Sequence, residues 1–183
     1  MTSVLPQVLI ITGLMAAGKS SVAQALAEQL PKSVHLRGDL FRRSIVNGRV
    51  DVGPQAHDEA LAQLALRQEI ACAACDLYAG AGFNVIYQDV ILGGHIEEIC
   101  FRLKRWSPGL VVLCPSLEVI ALRDAKRIKQ AYAGAWTPDR LAELLAGTPR
   151  LGLWLDNSEM TIGDAVQVIL RSASKTVVNV ADC

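Results

Sequence analysis

No sign of charge dominates this sequence: 18 Lys and Arg stand against 18 Asp and Glu. Bulk charge therefore draws the chain neither to nucleic acid nor to an acidic membrane, and any basic site must be local. No apolar run approaches the roughly 18 residues that a membrane-spanning helix needs. The best run, Val8 to Thr12, is strand-sized, although mean hydropathy is +0.30, high for a soluble chain. The start, Met1-Thr2-Ser3-Val4-Leu5-Pro6, lacks the basic residues that open a signal peptide. Repeats, linkers and low-complexity stretches are missing as well. With 51% hydrophobic and 20% charged residues, disorder and fibrous structure are excluded. What remains is one domain over residues 1–183, with room for a core and one embellishment. The default expectation is a cytoplasmic enzyme or nucleotide-binding module without a nucleic acid or membrane partner.

Five cysteines (Cys72, Cys75, Cys100, Cys114 and Cys183) are an odd number, too scattered for a disulfide framework. Cys72-Ala-Ala-Cys75 has redox spacing. It lies in an Ala- and Leu-rich helical run with no helix N-terminus to lower a thiol pKa, so it reads as two helix cysteines. A zinc site would need a second ligand pair, and the sequence offers none.

Strand and helix patterns alternate along the chain. Gln7–Thr12 is a continuous apolar run, expected of a parallel strand buried on both faces. Lys19–Leu30 is helical, with Val22, Leu26 and Leu30 on one stripe. Val34–Arg37 is a short strand, and Asp39 is placed to cap a helix reaching about Asn47. His57–Ala79 reads as a long helix, in which Leu66, Ile70, Ala73 and Leu77 recur at helical spacing. Asn84–Gln88 is a third strand, Ile96–Arg105 a helix, and Gly109–Cys114 a fourth strand. Ser116 caps a helix over Leu117 to about Lys129. Asp139–Leu145 is a helix, Leu151–Leu155 a fifth strand, Ile162–Arg171 the last helix, and Val177–Val180 a possible edge strand. Such alternation with short connections gives an α/β fold: a five-stranded parallel sheet, helices on both faces, in three layers.

The functional signal stands directly after the first strand. Gly13-Leu14-Met15-Ala16-Ala17-Gly18-Lys19-Ser20, followed by Ser21, has the form G-x-x-x-x-G-K-S between a strand and an amphipathic helix. Such a P-loop wraps phosphate in backbone N–H groups at a helix N-terminus. Lys19 supplies a charge for the β- and γ-phosphates and Ser20 a hydroxyl for Mg²⁺. The nucleotide expected is ATP.

Other candidates fall at strand ends, where α/β sheets bind ligands. After the second strand, Asp39 is placed to accept the proton of an acceptor hydroxyl, and Arg42, about one turn on, to hold an anionic group. After the third strand, Asp89 takes the position of a carboxylate that serves Mg²⁺, its water shell or the acceptor; His95 follows Gly93-Gly94 on the acceptor side. Arg123, Lys126, Arg127 and Lys129 run into a looser segment and suggest a small basic lid, about residues 124–140, closing over ATP. Arg123 and Arg127, four apart, share a helix face. Asn157, after the fifth strand, is expected beside the nucleotide base. The acceptor side is expected over about 40–82.

These stretches carry a resemblance. GLMAAGKSS (13–21), GDLF (38–41), QDVILGG (88–94), RDAKR (123–127) and LDNSEMT (155–161) are similar to the chloramphenicol 3-O-phosphotransferase-like branch of small P-loop kinases. That branch stands near gluconate, shikimate and adenylylsulfate kinases, zeta-toxin kinases and AAA-type ATPases and phosphotransferases. The resemblance covers about residues 7–171. It implies the P-loop NTPase fold and Mg²⁺- and ATP-dependent phosphorylation of a small-molecule hydroxyl, an antibiotic included. Asp39 would act on that hydroxyl, while Lys19, Ser20 and Arg127 hold the transferring phosphoryl. Two other readings use the same residues: a zeta-toxin-like kinase of a nucleotide sugar, and a nucleotide-binding or ATPase module without an acceptor. In the family the strand-three stretch usually carries two acids in a row; here the first is Gln88.

Overall fold

The computed structural model describes residues 5–53, 57–126 and 137–179. Five strands form one sheet: β1 (Val8–Gly13), β2 (Ser33–Arg37), β3 (Asn84–Gln88), β4 (Gly109–Leu113) and β5 (Leu153–Leu155). Their order is β2-β3-β1-β4-β5 and every pairing is parallel. The central strand β1 is buried at every residue. Alternation along the strands divides its side chains between two cores. Leu9 and Ile11, with Ile86, Val111 and Leu113, meet helix α1 (Lys19–Glu28) and helix α7 (Ile162–Arg171). Val8 and Ile10, with Val85, Tyr87, Leu110 and Val112, meet helix α3 (Asp58–Gly80) and helix α4 (His95–Arg102) on the other face. The five-stranded sheet covered on both faces is the P-loop NTPase architecture expected from the sequence.

Several details refine the sequence expectation. The second helix, α2, is only Asp39–Arg43; Gly38 is its N-cap, and no side chain makes a capping bond, Asp39's included. The large apolar residues that recur along α3 are turned outward: Leu66, Ile70 and Leu77 are 49%, 40% and 77% exposed, and Ala73 is exposed too. The buried face is Ala60, Gln68, Ala71, Cys72, Cys75 and Ala79. Small residues let this helix lie close against the sheet, so bulk does not mark its inner face. Strand β5 begins at Leu153 because Gly152, at φ 64°, turns the chain where a Cβ would stand 2.4 Å from the Leu110 carbonyl oxygen. Val177 makes a single antiparallel bridge to Gly109 instead of an edge strand. Lys104–Trp106 is a 3-10 turn after α4.

The remaining helices follow their caps. Ser116 accepts a bond from the Val119 N–H and opens α5 (Leu117–Ala125). Thr137 accepts from the Arg140 N–H, with Pro138 next, and opens α6 (Pro138–Ala146). Thr161 and Asp164 form a reciprocal capping box on α7. A short α8 (Ala173–Thr176) ends the described helices.

Candidate active site

Because all five strands run the same way, their C-terminal ends meet on one edge, with β1 at its centre between β3 and β4. Gly13 ends β1 at φ 138°, and a Cβ there would lie 2.2 Å from the Leu113 carbonyl oxygen. No side chain fits, so the turn out of β1 requires glycine. Gly18, at φ 97°, is the N-cap of α1 and offers no side chain to its first N–H groups, which stay available to an anion. Lys19 is 6% exposed, and its Nζ donates to the carbonyls of Gly13 (2.9 Å) and Leu14 (2.7 Å). Leu14 and Ala17 bury their side chains and offer the loop only backbone. Met15, Ala16, Gly18, Ser20 and Ser21 line the open side.

The parity of β3 decides which polar residue meets the loop. Ile86 packs with α1, so Gln88, two residues on, faces α1 as well. The Ser20 hydroxyl donates to Gln88 Oε1 at 3.0 Å. Asp89, expected from the sequence to serve Mg²⁺, its water shell or the acceptor, faces α3. Its Oδ1 pairs with Arg67 Nη2 at 3.0 Å and accepts the Val90 N–H at 2.8 Å. Asp89 Oδ2 lies so close to the Gly38 backbone that a Cβ at Gly38 would stand 2.0 Å away. Burial pushes the Asp89 carboxyl up from its ordinary range, against the pull of the Arg67 guanidinium beside it. Thr12 exchanges two hydrogen bonds with the backbone of Ile91 (2.7 and 2.9 Å) and ties this segment to β1.

Asp39 sits at the start of α2 with Arg43 Nη2 at 2.7 Å and Arg37 Nε at 3.8 Å. Arg42 pairs with Asp51. His95, half exposed, has Glu98 at 3.6 Å. A single cleft of about 740 Å³ is lined by Lys19, Ser20, Asp39, Arg42, Arg67, Gln88, Asp89 and His95. Sequence reasoning missed Gln88, Arg67 and Thr12. Gln88 follows from strand parity; Arg67 and Thr12 have only their positions on an α3 turn and on a strand to mark them.

A second, smaller cavity of about 260 Å³ meets the first at Ala16, Gly18 and Ser21. Arg123 and Asn157 line it together with Met160, Thr161 and Ile162. Arg123, expected on a lid, instead clamps the back of the P-loop: its guanidinium donates to the carbonyls of Ala17 (3.4 Å), Asn157 (2.9 Å) and Ser158 (3.4 Å). Asn157 Nδ2 donates to the same Ala17 carbonyl at 3.0 Å. Arg127, Lys129 and most of the expected lid lie outside the described residues.

The sequence profile of the AAA-domain family matches residues 8–147, more than half of the chain. Similar folds occur in three solved kinases and resistance proteins. The APS kinase of Mycobacterium tuberculosis, in complex with AMPPNP and APS, is 21% identical at a TM-score of 0.67, over 91% of this chain and 96% of that one. A gluconokinase from Sinorhizobium meliloti 1021 is 19% identical at 0.64, over 94% of each chain. The tunicamycin resistance protein of Deinococcus radiodurans is 16% identical at 0.64, over 94% of this chain and 98% of that one. No curated protein matches. Among the described residues no helix is long and apolar enough to cross a membrane. The chain belongs to the AAA-domain family that the profile describes.

Proposed function

We propose that this AAA-domain protein is a kinase that transfers the γ-phosphoryl group of ATP, with Mg²⁺, to a hydroxyl of a small molecule. One observation carries the reading: the P-loop and Asp39 open on the same cleft, so a phosphate end and a carboxylate share one chamber with space beyond. In a bare ATP-binding module that carboxylate would serve only its ion pairs with Arg43 and Arg37.

Each residue then has a task. The N–H groups at the start of α1 and the Lys19 ammonium hold the phosphates. ATP supplies the phosphoryl group. Arg123 and Asn157 fix the loop from behind and border the base in the smaller cavity. Ser20 Oγ and Gln88 Oε1 are hard oxygen donors of the kind that Mg²⁺ takes beside substrate phosphates. Among the described residues no cluster of three or more His, Cys, Asp and Glu gathers to hold a metal alone. The metal therefore fits this site as part of the nucleotide complex. Asp39 exchanges its Arg43 contact for the acceptor hydroxyl and takes its proton. Arg127 adds charge at the transferring group. Most of the gain is positioning and charge stabilisation, with little covalent work for the protein.

An antibiotic acceptor, in the manner of chloramphenicol phosphotransferase, draws its support from the stretch 88–94. The test is incubation with ATP and Mg²⁺ against antibiotics, sugars, nucleosides and nucleotide sugars, with mass spectrometry for a phosphate increment. Asp39→Asn keeps the shape and removes the basicity. It should leave ATP affinity within a few-fold and lower transfer by roughly 10²–10⁴. Unchanged transfer by Asp39→Asn removes Asp39 from the reaction; hydrolysis with no phosphorylated acceptor sinks the kinase reading.

A further inference from the structure

We propose that the acceptor carries an oxyanion, a carboxylate or a phosphate, close to the hydroxyl that is phosphorylated, and that Arg37 and Arg43 hold this group while Asp39 takes the hydroxyl. The proposal rests on the kinase reading and concerns the part of the cleft beyond the P-loop.

Charge argues first. Lys19 and four arginines, Arg37, Arg42, Arg43 and Arg67, line the cleft against three carboxylates, Asp39, Asp51 and Asp89. Among the described residues of this wall, cations therefore outnumber carboxylates. The ion pairs are of two kinds. Arg67 and Asp89 form a buried pair, their side chains 14% and 4% exposed, and parting them would leave a buried charge uncompensated. Arg42 pairs with Asp51. Arg37 and Arg43 instead share Asp39, at 3.8 and 2.7 Å. Asp39 is the group that the kinase reading gives to the acceptor. A hydroxyl that draws it from Arg43 leaves guanidiniums without their counter-charge, and an oxyanion on the acceptor supplies one. The Arg43 side chain is 61% exposed; so exposed an ion pair is weakly held, and the guanidinium turns to a new partner at little cost.

Two unmatched atoms argue second. Asp39 Oδ1 and Arg37 Nε are buried and have no hydrogen-bond partner among the described residues. They stand 3.8 Å apart, too far to bond each other. Buried polar atoms are nearly always paired, so an acceptor and a donor left open side by side are a positive sign of a ligand. A molecule with a hydroxyl and an oxyanion on the same or neighbouring carbons answers both. Its O–H donates to Oδ1, and its charged oxygen accepts from the Nε–H. A diol of that spacing also makes both bonds, but it brings no charge to Arg43. Arg67 Nε, buried and unmatched as well, is a further donor on the same wall.

Binding and transfer are read separately. With AMP-PNP and Mg²⁺ bound, 3-hydroxypropionate, 2-hydroxyethyl phosphate, 1,3-propanediol and 6-hydroxyhexanoate are titrated by ligand-observed NMR. At least one short hydroxy anion should bind about tenfold or more tighter than the diol, as for a charge-assisted hydrogen bond in place of a neutral one. It should also bind more tightly than 6-hydroxyhexanoate, whose charge lies far from its hydroxyl. The two short anions, compared with each other, identify the oxyanion as carboxylate or phosphate. Arg37→Gln and Arg43→Gln should each remove the preference over the diol, and AMP-PNP titration checks that both variants are folded. Arg105→Gln, at Asp76 and away from the cleft lining, should keep it. Equal affinity for anions and diol, preference for the long hydroxy acid, absence of binding by every probe, or a preference that survives in either cleft variant overturns the proposal. So does an oxyanion that AMP-PNP displaces, since its site then belongs to the nucleotide phosphates. Transfer from labelled ATP is measured in parallel. Preference for the short anions with ATP hydrolysis and no phosphorylated product supports the oxyanion site and removes the kinase reading; transfer that favours the diol keeps the kinase and overturns this inference.

Discussion

The two ends of the cleft are built by different means. At the phosphate end, shape comes from backbone over nine consecutive residues: a glycine at φ 138°, another at φ 97°, and a lysine tied to the carbonyls of its own loop. At the acceptor end, shape comes from side-chain pairs between distant segments, Arg67 of α3 with Asp89 after β3, Arg42 of α2 with Asp51. The first design is set mainly by local sequence, with Arg123 and Asn157 bracing the loop from behind. The second depends on how α2, α3 and β3 are packed, so a shift in any one alters the pocket. One end of the cleft can therefore keep its shape while the packing at the other end is changed.

Breaking the local half should have the largest effect. Lys19→Ala removes the ammonium at the phosphates and is expected to abolish measurable transfer, a loss of about 10³-fold or more, and to weaken ATP binding. Steady-state kinetics and nucleotide titration on one folded preparation decide it; undiminished turnover would break the assignment. Asp39→Asn, described above, comes next, and it sharpens the contrast by sparing nucleotide affinity. Gly38→Ala acts on the distributed half. Its new Cβ would meet Asp89 Oδ2 at 2.0 Å and push the carboxylate off Arg67. A stability loss of about 1–3 kcal/mol is expected, as for an overpacked site, with transfer impaired more than ATP binding. Chemical denaturation beside both assays reads this, and equal losses in the two functions would erase the distinction between the ends.

The smallest effect concerns the thiols. Cys72 and Cys75 lie in the core behind the cleft, and burial pushes the Cys72 thiol up to about 11. Neither should react with iodoacetamide in the native protein near pH 8, where the thiolate fraction is small. The double Cys→Ala variant should keep transfer within about twofold while losing about 1–2 kcal/mol of stability. Rapid native labelling, followed by loss of activity, would bring these residues into the functional account.

Legibility follows the same division. The P-loop, the five parallel strands and the helix order could be read because glycine punctuation and apolar runs are local signals. Asp39 was placed correctly at the end of the second strand, but its helix was drawn too long and its capping role does not exist. The spacing of Leu66, Ile70 and Leu77 marks α3 as a helix, but its buried face is not legible from bulk, because close packing against the sheet selects Ala71, Cys72, Cys75 and Ala79. The sequence places Asp89 at a strand end as a carboxylate for Mg²⁺, its water shell or the acceptor. The alternation of β3 puts Gln88 on the α1 side instead, and Asp89 is turned towards an arginine 22 residues earlier in the chain. No local pattern announces a pairing of that range.

The Lys19 ammonium has a consequence for the empty protein. It is stripped of most of its water when the chain folds, before any phosphate arrives, and two carbonyls stand in for the lost hydration. Dehydrating an ammonium is costly, and here that cost falls on folding instead of on ligand capture. A phosphate entering the loop meets a charge already dry and aimed, and it exchanges partners with carbonyls instead of displacing a full hydration shell. A ligand that binds only the folded loop would add stability to it by mass action.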